Sequence, residues 1–454
     1  MKRLVLAFCC AGAPLAAQTA PAPSLPNRAW WLSGQLNIIS QWHGPFPALY
    51  TGSNSLRPVR ENATSTVATL FTGLRLDRRT EVFLDLESAG GGGISQAFGL
   101  AGFTNLDVVR NPSLGAAPYV ARAYVRYTVG MDGGTGGTGG TEPHAAELHA
   151  LLPAVPVRRL SVAAGKLGTV DFFDLNTGGS DSHLQFMNWT IDNNGAYDYA
   201  ADTRGYTIGA VAEFHDRGWA ARWGEMLMPK VANGIEYDWN VAGAHGDNVE
   251  FELDHGVLAG HPGVIRLLGY LNHANMGSYQ EALDAFAAGR DTVLDVAAHR
   301  RPGRRKGGAG LTFEQDVGRG LLAFGRIGAN DGRVESFAYT EVDRSGEIGV
   351  TWTSRSTSRR DRSGIALAVN GLGTQHRDYL ARGGHGFLLG DGALTYGPER
   401  IVEAYYTRGV RGGLSLAFDI QYITDPGYNR DRGPVTVFSL RAHLDVPDPA
   451  TARP

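Results

Sequence analysis

The 454 residues include 62 glycines, 43% hydrophobic residues and only 19% charged ones, a balance that excludes a disordered or collagenous chain. Forty-five acids against 42 bases leave a formal charge of −3, too even for a nucleic-acid backbone as partner. After the N-terminal leader no run of about 18 apolar residues remains, so no transmembrane helix is expected, whereas a membrane barrel needs only alternating segments of about 10 residues.

The chain opens with MKRLVLAFCCAGAPLAAQTA. Its basic start (Lys2, Arg3), apolar run and small residues at Ala16 and Ala17 predict a secretory signal peptide over 1–17, followed by a lead-in segment over 18–34. Cys9 and Cys10 are the only cysteines, so the mature chain has none and uses no disulfides. Phe8 stands where a lipoprotein signal needs a small residue. Cleavage leaves 40 bases against 45 acids, a charge of −5. Helical spacing is scarce; PSLPNRAWWLSGQLNII near the start and HANMGSYQEALDAFAAGR further on each admit a short helix, the second capping a long loop.

From residue 35 to 446 the recurring unit is a short run of period 2 bounded by Gly, Asp, Asn or Pro. In TEVFLDLE, Val82, Leu84 and Leu86 oppose Glu81, Asp85 and Glu87. In YVARAYVRYTVG, Tyr119, Ala121, Ala123, Val125, Tyr127 and Val129 oppose Val120, Arg122, Tyr124, Arg126 and Thr128. DGGTGGTGGTEP at 132–143 reads as a loop, because ordering glycine is entropically costly. The grammar resumes in RGYTIGAVAEFH, where Tyr206, Ile208, Ala210, Ala212 and Phe214 oppose Thr207, Glu213 and His215, and in VEFELD, where Val249, Phe251 and Leu253 oppose Glu250, Glu252 and Asp254. The basic HRRPGRRKGG at 299–308 reads as a second loop. Alternation continues through Leu414, Leu416, Phe418, Ile420 and Tyr422, and through Phe438, Leu440, Ala442, Leu444 and Val446, leaving a tail at 447–454.

Such alternation suits a soluble β-sandwich or an outer-membrane barrel. Three features favour the barrel: apolar runs that end in Tyr, Trp or Phe as an interfacial girdle requires, the absence of disulfides in a secreted chain of this size, and paired charges on the polar faces. About 437 mature residues, at roughly 25–30 per strand with its turns, give 14 to 18 strands, and the even number expected of a single-chain barrel is taken as 16. The expected fold is therefore an all-β transmembrane antiparallel barrel.

Residues 162–214 form the densest polar and aromatic stretch. Carboxylates and amides there could bond sugar hydroxyls while Trp and Tyr stack on a pyranose; the same composition also fits a large polar loop. No pair of acids stands out as a glycosidase acid and nucleophile. The 13 His form no HExxH or carboxylate-backed His-x-His pattern, GGTGGTGG lacks the Lys-Ser/Thr ending of a phosphate loop, and no GxSxG occurs. No catalytic residue, metal or cofactor is expected.

The strings GKLGTVDFFDLN, QFMNWTIDNNGAYDYAADTRGYTIGAVAEFH and MPKVANGIEYDWN resemble the OprB-type carbohydrate-selective porins of Gram-negative outer membranes. YTGSNSLRP, DLESAGGGGIS and LAGFTNLDVVRNPSLG upstream, with GVIRLLGYLNHANMGSY, GPERIVEAYYT and DIQYITDPGYNRDRGPV downstream, extend the resemblance over about residues 35–446. It implies a 16-stranded barrel with long loops folded into the channel, passive uptake of small sugars and, as a rule, a homotrimer in outer-membrane lipid. Two features depart from the family: the chain runs on through PDPATARP instead of ending at a terminal aromatic, and the glycine run at 132–141 looks like an insertion.

The function expected is a porin in which a polar, charged constriction passes small carbohydrates down their gradient. A general-diffusion or anion-preferring porin and, from another class, a carbohydrate-active enzyme are the alternatives. Arg122 and Arg126 are expected to face the lumen opposite Asp85 and Glu87. The segment from Asp171 to Arg204, too aromatic to lie in water, is expected to fold into the channel with Asp171, Asp174, Asn188, Trp189, Asn193, Asn194, Asp198 and Arg204 facing the pore. Lys166 would join from the strand before, and Lys230 and Asn233 from the turn after.

Overall fold

A computed structural model describes residues 29–446 apart from 110, 112–113, 132–139, 144–147, 256–259, 355–360 and 411. The signal peptide expected over 1–17, most of the expected lead-in, most of the glycine run and the C-terminal tail at 447–454 lie outside the described residues. The strands are β1 (Trp30–His43), β2 (Glu61–Arg75), β3 (Thr80–Gly91), β4 (Tyr119–Gly130), β5 (Thr141–Pro143), β6 (Ala154–Pro156), β7 (Arg159–Leu167), β8 (Thr207–Asp216) and β9 (Trp219–Leu227). They continue as β10 (His245–His255), β11 (Gly263–Gly277), β12 (Arg300–Gly318), β13 (Leu321–Asn330), β14 (Arg344–Thr353), β15 (Arg362–Gly371), β16 (Glu399–Gly409), β17 (Leu414–Thr424) and β18 (Val435–Val446). All but β5 and β6 join, each to its chain neighbour, in one antiparallel barrel that β1 closes against β18. That makes the 16 strands expected; β5 and β6 pair with each other beside it.

Closure removes the sheet edges that hydrocarbon would leave unpaired, and alternation then assigns the faces. Val249, Phe251 and Leu253 are 55%, 45% and 44% exposed on the outside, whereas Glu250 beside them is 1% exposed on the inside. Leu84 and Leu86 likewise face out and Asp85 in; Leu416 and Phe418 face out, Asp419 and Gln421 in. Apart from 131–158, connections at one end are short, such as 217–218 and 319–320, while those at the other end are long, such as 168–206 and 372–398. Long loops mark the extracellular end of an outer-membrane barrel.

Four local readings are corrected. The stretch from Trp30 to Ile39 is strand, not helix: its Asn37 and Gln41 are buried inward while Leu32, Ile38 and Trp42 are exposed, the period of 2 overriding the helical spacing. HRRPGRRKGG is not a loop but the start of β12, whose arginines extend the strand beyond the lipid belt. In β4 a bulge at Ala121 shifts the register, so that Asp85 pairs with Arg122 but Leu86 with Val120. Val120 therefore faces out, and Tyr119, expected outside, turns in. Tyr206 precedes β8 and packs inward at 8% exposure instead of continuing its outer face.

The barrel's apolar core lies inside it, beneath the inward-folded connections. Phe103, Phe172, Phe173, Phe186, Trp189, Tyr197 and Tyr199 form it with inward residues of the wall such as Phe83 and Phe324. Among the described residues three α-helices sit in the connections: α1 (Trp189–Asp192), α2 (Tyr279–Ala287) and α3 (Thr374–Ala381). The helix expected in the YQEALDAFA stretch is α2, capped by Ser278, whose side chain accepts from the Glu281 N–H.

Candidate functional site

The connection between β7 and β8 fills the barrel because the inner wall offers it partners. Asp174 accepts from Thr312 Oγ1 (3.0 Å) and the Asn194 N–H (2.7 Å), and its carboxylate lies 3.3 Å from Arg326 Nε. Asn188 caps α1 through the Thr190 N–H and donates to the Gly102 carbonyl (2.7 Å) and Gln421 (3.0 Å). Asp198 accepts from Lys306 Nζ (3.0 Å) and the Phe337 and Ala338 N–H groups. Asn194 lies in a hollow left by two inward glycines: a Cβ on Gly328 would come within 2.2 Å of its side chain, and one on Gly310 within 2.6 Å.

Behind this contact runs a belt of buried ion pairs. Arg222 of β9 lies 3.1 Å from Glu213 of β8 and 2.9 Å from Glu250 and Glu252 of β10. Arg266 of β11 pairs with Glu252 (2.8 Å) and Glu314, and Arg326 of β13 with Glu347 of β14 (2.6 Å). Each guanidinium bridges strands, and Arg326 also donates to the Ile191 carbonyl (3.0 Å), fastening the loop to the wall.

The loop's other face borders a cavity of about 620 Å³ against β2–β4. Trp189 and Tyr339 stack there with centroids 5.4 Å apart at 6°, and Tyr199 tilts against Tyr339 at 4.9 Å. Arg122 donates to both Asp171 oxygens (2.7 and 2.6 Å) and lies 3.3 Å from Asp85. Arg126 donates to the His149 carbonyl (2.6 Å), and His149 contacts Asp85 (2.8 Å). Arg204 lies over the Tyr119 ring at 3.6 Å, and Glu87 accepts from Tyr119 and Tyr206.

Charge in the cavity is set by burial and pairing. Burial alone would lower His183, but Asp107, 3.3 Å away, raises it to about 9 and keeps it cationic at neutral pH. Burial pushes Asp192 up to about 8, so its carboxyl is largely neutral at pH 7. One Asp192 oxygen accepts from Asn193 (2.6 Å); the other is buried with no hydrogen-bond partner among the described residues. Burial would also raise Asp171, yet Arg122 holds it below the usual carboxylate range.

Of the residues expected at the pore, Glu87, Arg122, Arg126, Asp171, Trp189, Asn193, Arg204 and Asn233 line this cavity. Asp85 is buried behind Arg122. Asp174, Asn188, Asn194 and Asp198 are turned toward the wall, their polar atoms committed to holding the loop. Lys166 is half-buried near the Tyr206 ring, and Lys230 pairs with Glu236 (2.8 Å), both exposed, and does not reach the cavity that Asn233 of the same turn lines. Arg126 faces Glu81 in register rather than Glu87, because in an antiparallel pair the step from Arg122 to Arg126 runs back along β3 from Asp85 to Glu81. The sequence reading missed Asp107, His149, His183 and Tyr339 and sent Tyr119 and Tyr206 outward. The connection at 131–158 carries His149 to the cavity; its composition has no period to announce that.

A closed barrel with a lipid-facing apolar belt, short turns at one end and a polar cavity under an inward-folded loop is an outer-membrane porin. The family model of carbohydrate-selective porins, the OprB family, matches residues 53–445. The chain belongs to that family and resides in the bacterial outer membrane. The high-pH structure of Pseudomonas putida OprB is similar at TM-score 0.65 and 14% identity, over 91% of this chain and 94% of that one. An anion-selective porin from Comamonas acidovorans matches at TM-score 0.48 and 9% identity, over 92% and 99% of the two chains. No curated protein matches in sequence.

Proposed function

We propose that a sugar crossing this porin passes through the cavity beside the β7–β8 loop. Its C–H faces would meet Trp189, Tyr199 and Tyr339, and its hydroxyls would exchange water for Arg122, Asp171, Asp192, Asn193 and Arg204. The observation that supports this reading most is the stacked Trp189–Tyr339 pair bordering the same cavity as those charged and amide groups. Arginine and carboxylate together bond a hydroxyl as both acceptor and donor, and a neutral polyol leaves no charge unpaired. Passage is passive and breaks no bond. Export by the 1–17 leader and assembly as a homotrimer are part of the same proposal, the second tested by cross-linking in outer-membrane extracts.

Planar-bilayer conductance during sugar titration tests the reading. Saturable block by a neutral mono- or disaccharide that Trp189→Ala weakens supports it. Open-channel currents indifferent to every sugar would replace it with a general-diffusion pore.

A further inference from the structure

On the outer wall, remote from the cavity, three side chains with metal-binding chemistry converge. His245, the first residue of β10, stands directly opposite His273 of β11. Asp247 lies two residues along β10 and so shares the outward face; Asn248 and Asn272, of opposite parity, are buried inward. One potential ligand atom from each of His245, Asp247 and His273 lies within 4.8 Å of the other two.

The finer geometry points the same way. The two imidazoles stack with centroids 4.5 Å apart at 25°. His245 Nε2 lies 3.5 Å from Asp247 Oδ2, close to the roughly 3.4 Å that separates two donors on a tetrahedral ion with bonds of about 2.1 Å. His245 Nδ1 lies 2.7 Å from the Val241 carbonyl, an acceptor that holds the proton on Nδ1 and leaves the Nε2 lone pair for a metal. His273 Nδ1 is buried without a hydrogen-bond partner among the described residues. An orphaned ring nitrogen is costly unless something binds it.

We propose that His245, Asp247 and His273 bind a divalent transition-metal ion of the zinc class. Two imidazoles and one carboxylate suit zinc, whereas calcium and magnesium take oxygen donors. Three protein ligands leave a fourth position for water. β10 descends from the long connection at 228–244, so the site lies at the extracellular rim, above the lipid-facing Val249, Phe251 and Leu253. The ion would clip β10 to β11 there without entering the channel. Arg305, exposed and opposite His273 on β12, weakens the site by its charge.

Isothermal titration of the purified full-length protein in detergent with Zn²⁺ tests this, with Co²⁺ absorption as a second readout. The expected result is one saturable site per chain, weakened about tenfold or more in His245→Ala and in His273→Ala and tightened in Arg305→Ala. Gel mobility before and after heating monitors the fold, and single-channel conductance stays that of the wild type. No saturable binding to the wild type, or equal binding to the His245→Ala/His273→Ala double variant, overturns the site. Should those variants misfold, the wild-type cobalt spectrum decides: intense tetrahedral bands support the site, and the weak spectrum of the hydrated ion defeats it.

Discussion

The two faces of the β7–β8 loop are built from the same residue types and end in opposite states. On the wall side, Asp174, Asn194 and Asp198 meet Arg326, Thr312, Ser345 and Lys306, and their polar groups are tied into the barrel. On the cavity side, Asp192 keeps a buried oxygen without a hydrogen-bond partner among the described residues, and Trp189, 6% exposed, stacks on Tyr339 at the cavity's border. A buried polar group that is satisfied rigidifies its surroundings; one that is left over costs stability where it sits. The difference lies in what faces each residue across the barrel.

The sharpest break in this contrast comes from the wall side. Arg326→Ala leaves Asp174 and Glu347 without their shared cation, an expected loss of about 3–5 kcal/mol, measured by unfolding in detergent. Asn193→Ala on the cavity face should be far milder, and equal losses would erase the distinction. On the lipid face, Val125→Arg near the midplane should cost about 2–4 kcal/mol by the same assay. Next in size, Gly328→Val fills the hollow occupied by Asn194, costing about 1–3 kcal/mol and displacing the loop. Its conductance should therefore change, whereas Gly269→Val, at a wall glycine with nothing within 4 Å of its added Cβ, should conduct normally.

Trp189→Ala should weaken sugar block about tenfold, near 1.4 kcal/mol, and Trp189→Phe should recover part of it if stacking is the interaction. The smallest effect is a pH shift in ion selectivity. Asp192, raised to about 8, gains a negative charge as pH rises through that value, and His183, raised to about 9, then loses a positive one. Both changes make the cavity more negative, so reversal potentials should move toward cation preference between pH 7 and 10. For stability, the His183–Asp107 pair contributes fully below the ordinary histidine value of about 6.5 and is lost as pH rises through about 9. Selectivity that is flat over this range would place both groups outside the ion path.

Alternation in segments such as VEFELD was legible because lipid and lumen each select one face of a strand, a rule that needs no tertiary information. The aromatic content of 171–204 likewise announced an inward loop. The β4 bulge was hidden, because Tyr119 and Val120 each suit either face, and only pairing with β3 shows which residue slips. HRRPGRRKGG misled because its charges suggested a turn, although a strand that outruns the membrane has no need of apolar residues at its end. Histidines 149 and 183 gave no signal, since their roles arise from Asp85 and Asp107, each tens of residues away in the chain.

By itself, the sequence determined the barrel, the face of most strand residues, the inward loop and the family, because local period, composition and motif strings encode them. Only the tertiary structure decided which acids hold the loop and which border the cavity. It also brought His245 and His273 side by side across β10 and β11. Satisfaction of a buried polar group is a property of its surroundings, and in a barrel those surroundings come from strands far apart in the chain.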